Sequence, residues 1–196
     1  KVTNEGWEIQ PLMILYHVNI GFPVVDDGSV LISTSRLYVP RDDEAKADAE
    51  RFDQFHSPTS GYKEKVYFHE MLTDEEGYAY SAIVSEKLLD GLAVYVKYRR
   101  SELPRFIEWK MMGEGTYVVG MEPANGLVVG RDKERKWETL QYLKPQETRE
   151  FHIEIGVLVG EEARNFKEKI NSVTKGAKSK IIGTVEEFVE VTRSRV

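Results

Sequence analysis

The chain has 196 residues, enough for one sizeable core, with 27 basic against 33 acidic residues and a net charge of −6. That balance excludes a basic nucleic-acid footprint, and no apolar run is long enough to span a membrane. With no cysteine, disulfides, thiol catalysis and cysteine-ligated zinc are excluded, and a reducing cytoplasm is the expected setting.

The chain starts at Lys1 rather than Met, as a fragment or processed piece would, and Lys1 to Glu8 is too polar for a leader. Short β-prone runs then follow at roughly ten-residue spacing, the pattern of a sandwich or barrel. In chain order they are Pro11–Asn19, Val30–Val39, Lys63–Leu72, Tyr78–Ser85, Gly91–Arg99, Phe106–Met112, Tyr117–Glu122, Glu138–Leu143 and Arg149–Leu158. Turn-forming clusters such as Asp26-Asp27-Gly28, Asp90-Gly91 and Gly113-Glu114-Gly115 separate them. Alternation is clearest in the last run, with Phe151, Ile153, Ile155 and Val157 on one face and Glu150, His152 and Glu154 on the other. Asp42–Arg51 reads as a solvated loop or a short helix. Residues 1–159 are therefore expected to form an all-β unit. Residues 160–196 form a helical or mixed tail: Ala163, Phe166, Ile170 and Val173 recur at helical spacing, and Lys175–Lys180 is a basic linker. Thr184 and Glu187 then fit a capping box, although Val185–Thr192 reads equally as a strand.

Two constellations stand out chemically. Alternation puts His17 and Asn19 on one face at the end of an apolar strand, before a Gly21-Phe22-Pro23 turn, which suits a polar pocket floor. The plain alternative is a satisfied core histidine. Glu122 ends another strand, held extended by Pro123, and Gly120 removes a side chain from the same face so that a ligand can reach the backbone. Burial there raises a carboxyl pKa, as a general base at neutral pH requires; a turn-capping glutamate is the alternative. His152 falls on a solvent face, His56 lies in a loop, and the face of His69 is undecided. Trp109 and Lys110 offer a stacking platform and a cation, or else one core and one surface residue on opposite faces. Arg131 either reaches a ligand or pairs with Asp132, and Glu64 opens a strand. No metal-ligand spacing and no phosphate loop occur in the sequence, so no metal and no cofactor is expected.

The segments Pro11–Pro23, Leu103–Lys110, Gly120–Asn125 and Gly130-Arg131 resemble, in the same order, those of galactose mutarotase-like, aldose 1-epimerase-related proteins, especially the DUF4432 subgroup. The resemblance covers residues 4 to 159. It implies the C-terminal portion of a β-supersandwich, with a polar cleft on one sheet face and metal-free chemistry. In that chemistry His17 protonates the ring oxygen of an aldose, and Glu122 takes the proton of the hydroxyl on C1. Asn19, Trp109, Lys110, Arg131 and Glu64 then become candidates for holding sugar hydroxyls. Such proteins are about twice as long, and their first half supplies part of the substrate clamp. A second chain carrying that half, or a symmetric copy, is therefore expected. The alternative to an isomerase is a non-catalytic carbohydrate-binding or regulatory module.

Overall fold

The computed structural model describes residues 1–195, so the last residue of the predicted tail lies outside it. In chain order the elements are β1 (Val2–Thr3), β2 (Gln10–Leu12), β3 (Val18–Gly21), β4 (Val30–Ser33), β5 (Ser35–Pro40), α1 (Asp43–Lys46), β6 (Lys65–Met71), β7 (Tyr78–Ser85), β8 (Leu92–Arg99) and β9 (Arg105–Gly113). They continue as β10 (Thr116–Ala124), α2 (Arg131–Lys136), β11 (Gln141–Leu143), β12 (Thr148–Arg149), β13 (Ile153–Val159), α3 (Glu161–Thr174), β14 (Lys180–Ile181) and α4 (Val185–Thr192).

A six-stranded sheet, in the order β14-β5-β6-β9-β10-β3, faces a four-stranded sheet, β13-β8-β7-β4; two further ladders pair β1 with β12 and β2 with β11. Only the β14–β5 pair is parallel among the described ladders. The expected β-rich sandwich with a small helical C-terminus is therefore what the chain adopts. Its main core lies between the sheets. Tyr38, Tyr67, Phe106, Met112, Val119 and Met121 of the larger sheet meet Leu31, Ala79, Ile83, Val96 and Tyr98 of the smaller. Burying aliphatic and aromatic side chains at this scale contributes about 1.5–3 kcal/mol for each, before the entropy cost.

The structure divides three of the predicted strands, the last being Arg149–Leu158, where residues 150–152 separate β12 from β13. Val30–Val39 is split at Thr34, where the chain crosses from one sheet to the other. The crossing is held by the Thr34 N–H donating to the Tyr80 carbonyl at 2.9 Å and its hydroxyl donating to that of Leu72 at 2.8 Å. Pro11–Asn19 is interrupted between β2 and β3, and His17 lies just before β3.

The outer face of the six-stranded sheet carries a second cluster. Val39, Val66, Phe68, Ile107 and Ala124 are covered there by Leu127, Phe188 and Val189. Helix α4 supplies the last two, and the Thr184 hydroxyl caps it by accepting the Glu187 N–H at 3.2 Å. Fully buried Arg105 pins the helix, donating to the Thr192 hydroxyl at 2.6 Å with its guanidinium over the Phe188 ring. The tail is thus packed into both layers, with Ala163 and Phe166 of α3 against the four-stranded sheet and β14 extending the larger one. Among the described residues, no helix is long and apolar enough to cross a membrane.

Candidate active site

The part of the outer sheet face beyond the α4 cover is polar, and the β10 ladder organises it. Gly120 lies opposite Asn19 of β3 on one side and opposite Trp109 of β9 on the other. Residues directly opposite in a ladder share a face, so Asn19, Gly120 and Trp109 form a row, with Glu122 two residues along β10. His17 approaches from the segment before β3. Its Nε2 lies 2.9 Å from Oε1 of Glu122, with the imidazole side chain 44% exposed and the carboxylate 4%. The Trp109 ring stands edge-on to the imidazole, 5.4 Å between centroids at 78°.

The segment that carries His17 is aligned by the residues that follow Glu122. The Tyr16 N–H donates to the Pro123 carbonyl at 3.0 Å, and Leu15 bridges Ala124. The buried Asn125 side chain accepts from the Ile14 N–H at 2.7 Å and donates to the Leu12 carbonyl at 2.9 Å. Pro123 and Asn125 therefore replace the missing strand ladder and set the imidazole against the carboxylate. Asn125 carries no functional signal of its own in the sequence, although it closes the Glu122-Pro123-Ala124-Asn125 stretch.

Gly120 serves a nearer purpose than ligand approach to the backbone. A Cβ there would collide with the Glu122 carboxylate and stand 3.1 Å from Cε1 of His17, so the space above the glycine holds the pair itself. Burial pushes the Glu122 pKa up to about 7, with the nearby Glu64 charge adding to the effect. The carboxyl thus titrates where general acid–base catalysis at neutral pH is most efficient.

The remaining predicted residues separate. Glu64 joins the site, since one carboxylate oxygen accepts the Trp109 Nε1–H at 2.8 Å and the other accepts from Arg41 at 2.9 Å. Asn19 is exposed on the same face. Lys110 does not join. Alternation turns it to the opposite face, where it is fully buried between the sheets and donates to the Arg51 carbonyl at 2.8 Å. Arg131 is exposed on the first turn of α2, outside the contacts that link His17, Glu122, Trp109 and Glu64.

The other histidines sort as follows. His152 is exposed as expected and pairs with Glu102 at 2.8 Å, but it lies just before β13 rather than on a strand. His56 packs on Tyr62 in its loop. His69 is fully buried in the inter-sheet core, with Nδ1 3.0 Å from the Ser35 hydroxyl. Among the described residues, no three histidine or acidic side chains cluster so as to hold a metal ion.

Residues 1–157 match the family described as "Domain of unknown function (DUF4432)". No curated protein matches the chain. Among solved structures, a "putative aldose 1-epimerase" from Klebsiella pneumoniae superposes with a TM-score of 0.87 at 23% identity, over 93% of this chain and 48% of that one. The Slr1438 protein from Synechocystis sp. PCC 6803 gives 0.51 at 17% identity, over 79% and 47%. The chain spans about half the length of these two structures, with 48% and 47% covered.

Proposed function

The chain belongs to the DUF4432 family and is related to aldose epimerase-like proteins; from that premise we propose that it interconverts the anomers of an aldose or aldose derivative by acid–base ring opening. The observation that carries the reading is the direct 2.9 Å contact between His17 and Glu122 on an open, polar part of a sheet face. The ring oxygen and the anomeric hydroxyl of a pyranose are bonded to the same carbon, so the groups that serve them must lie close enough to reach one hemiacetal together.

In the proposed step, Glu122 takes the proton of the C1 hydroxyl and the O–H electron pair becomes the second bond of the aldehyde. The C1–O5 bond breaks, and O5 keeps that electron pair while receiving the imidazole proton of His17. Rotation about C1–C2 and reclosure on the other carbonyl face, with both proton transfers reversed, yields the opposite anomer. A carboxyl that titrates near 7 can work in both directions. Two such positioned transfers are worth about 10²–10⁴-fold each.

Saturation-transfer NMR on the α and β anomers of D-glucose and D-galactose tests the proposal. The protein is expected to speed anomer exchange, and His17→Asn and Glu122→Gln are each expected to abolish it while sparing sugar binding. Full activity in both variants would reject the assignment.

A second reading is a non-catalytic sugar-binding or regulatory module, which the exposed polar face with its indole beside His17 would equally serve. Such a module broadens sugar signals without exchanging them. Either reading includes a partner, either a second chain that carries the other half of the fold or a symmetric copy. Ile155 and Val157 of edge strand β13 share the sheet face of their buried ladder partners Val96 and Val94, yet they are 56% and 60% exposed. An open apolar edge of this kind favours strand pairing. A stable monomer by size-exclusion chromatography with light scattering would argue against a partner.

A further inference from the structure

The contacts behind His17 point to a role for Glu64 other than holding sugar. Glu64 lies at the foot of β6 and has a different partner on each carboxylate oxygen, the Trp109 indole N–H and the Arg41 guanidinium. Arg41 is fixed in turn. Its Nε donates to Asp42 at 2.8 Å, and its backbone N–H donates to the Val66 carbonyl at 2.9 Å. The indole so held stands roughly perpendicular against the imidazole, which is otherwise partly open to solvent. Among the described contacts, His17 is thus braced by Trp109 and engaged at Nε2 by Glu122.

We propose that Glu64 is a positioning residue that orients His17 toward Glu122 through the Trp109 indole, with Arg41 locking Glu64 in place. The inference rests on the acid–base reading of the His17–Glu122 pair. An indole has one N–H to give, and that N–H is already directed at Glu64, so Trp109 serves the pair as a brace rather than as a hydroxyl donor. The charged groups around Glu122 agree with this arrangement. Glu64 faces it across the row and adds to the rise of its pKa, Arg41 stands behind Glu64, and Arg105 on the same face is turned away to Thr192. Misplacing a reacting group by about 1 Å can cost on the order of 10²-fold in rate, so a brace of this kind matters to the chemistry.

The test compares Glu64→Gln, which keeps an acceptor for the indole, with Glu64→Ala and Trp109→Phe, which break the link from either end. Two readouts are taken on the full chain: hydrogen-exchange protection of the Trp109 indole N–H, and kcat and KM for anomer exchange of D-glucose and D-galactose. Glu64→Ala is expected to lose the protection and to lower kcat about ten- to a hundredfold at nearly constant KM. Glu64→Gln is expected to restore most of both losses, and Trp109→Phe to match Glu64→Ala in kcat. Should Glu64→Ala fail to fold, Trp109→Phe decides by kcat and KM, with a loss in kcat at nearly constant KM expected and an unchanged kcat overturning the proposal, and Glu64→Gln decides by both readouts. A rise in KM at constant kcat in the Gln and Ala variants alike would overturn the proposal and make Glu64 a sugar contact. Indole protection unchanged in Glu64→Ala would also overturn it. If the unaltered chain exchanges no anomers, the acid–base reading fails. Positioning is then decided by His17 ring resonances, which must shift in Glu64→Ala and return in Glu64→Gln.

Discussion

The six-stranded sheet carries a histidine–glutamate pair on each of its faces. On the outer face His17 and Glu122 touch at 2.9 Å, with the imidazole open to solvent. On the inner face His69 Nε2 and Glu108 Oε2 stand 3.7 Å apart, both fully buried. Neither His69 Nε2 nor either Glu108 oxygen has a hydrogen-bond partner among the described residues, and Glu122 Oε1, despite its 2.9 Å approach to His17 Nε2, makes no aligned hydrogen bond either. Burial pushes the His69 pKa down to about 3 and raises the Glu108 carboxyl well above its ordinary range, with neighbouring Lys110 pulling it back in part. Burial therefore disfavours the charged form of both inner groups. The outer pair is desolvated on the carboxylate side alone. The same two residue types become structural or chemical according to which end meets water and whether their atoms are in contact.

The sharpest break in this comparison is in rate. Glu122→Gln removes a proton acceptor from the proposed reaction and is expected to lower anomer exchange by about 10²–10⁴-fold. Glu108→Gln replaces a carboxyl on the inner side of the sheet, out of reach of the site, and should leave exchange unchanged. Equal losses in the two variants, measured by saturation-transfer NMR, would mean that the faces do not differ in function. Gly120→Ala comes next. Its methyl group would occupy the space of the Glu122 carboxylate and crowd His17, so the pair must part. Exchange should fall about ten- to a hundredfold while the far-UV circular dichroism of the sheet is preserved.

The sequence made some of this contrast legible and hid the rest. The central strands show in β-branched and aromatic runs between turn residues, and Glu122 and Gly120 were placed on one face by alternation alone. Lys110 could not be assigned from its neighbours. Only the β9 register, with Trp109 opposite Gly120, shows that it joins the inner face and not the site. His17 was read as part of a continuous strand because Leu12 to Leu15 is apolar throughout. The break there is imposed by Asn125, more than a hundred residues away, which supplies by side chain the hydrogen bonds that a ladder would have made. The crossing at Thr34 is likewise fixed by Leu72 and Tyr80. Local periodicity reports which residues are apolar, not which distant polar group will claim a backbone amide. Asn125→Ala would leave the Ile14 N–H and the Leu12 carbonyl without those partners, costing about 2 kcal/mol by denaturant unfolding and loosening the His17 segment.

The smallest effect concerns the dependence of stability on pH. The folded pKa of Glu122, about 7, lies above its ordinary value of 4.5. Between those two values the folded chain binds more protons than the unfolded chain, so rising pH erodes stability across that window and has no further effect through this group above it. Glu122→Gln removes the titration while keeping an acceptor beside His17. The variant and the unaltered chain should therefore differ little below pH 4.5. A gap in favour of the variant should open as the pH climbs to 7 and then stay constant, reaching about 1–2 kcal/mol once partial solvent contact along the site is allowed for. Glu108→Gln should open a gap in the same direction, because burial raises that carboxyl too. The two differ in the accompanying loss: at Glu122 the gain in stability comes with the loss of exchange, whereas at Glu108 it comes with none. If Glu122→Gln proves no more stable than the unaltered chain at pH 8, the carboxylate is better solvated than its position implies, and the outer face loses the feature that suits it to proton transfer.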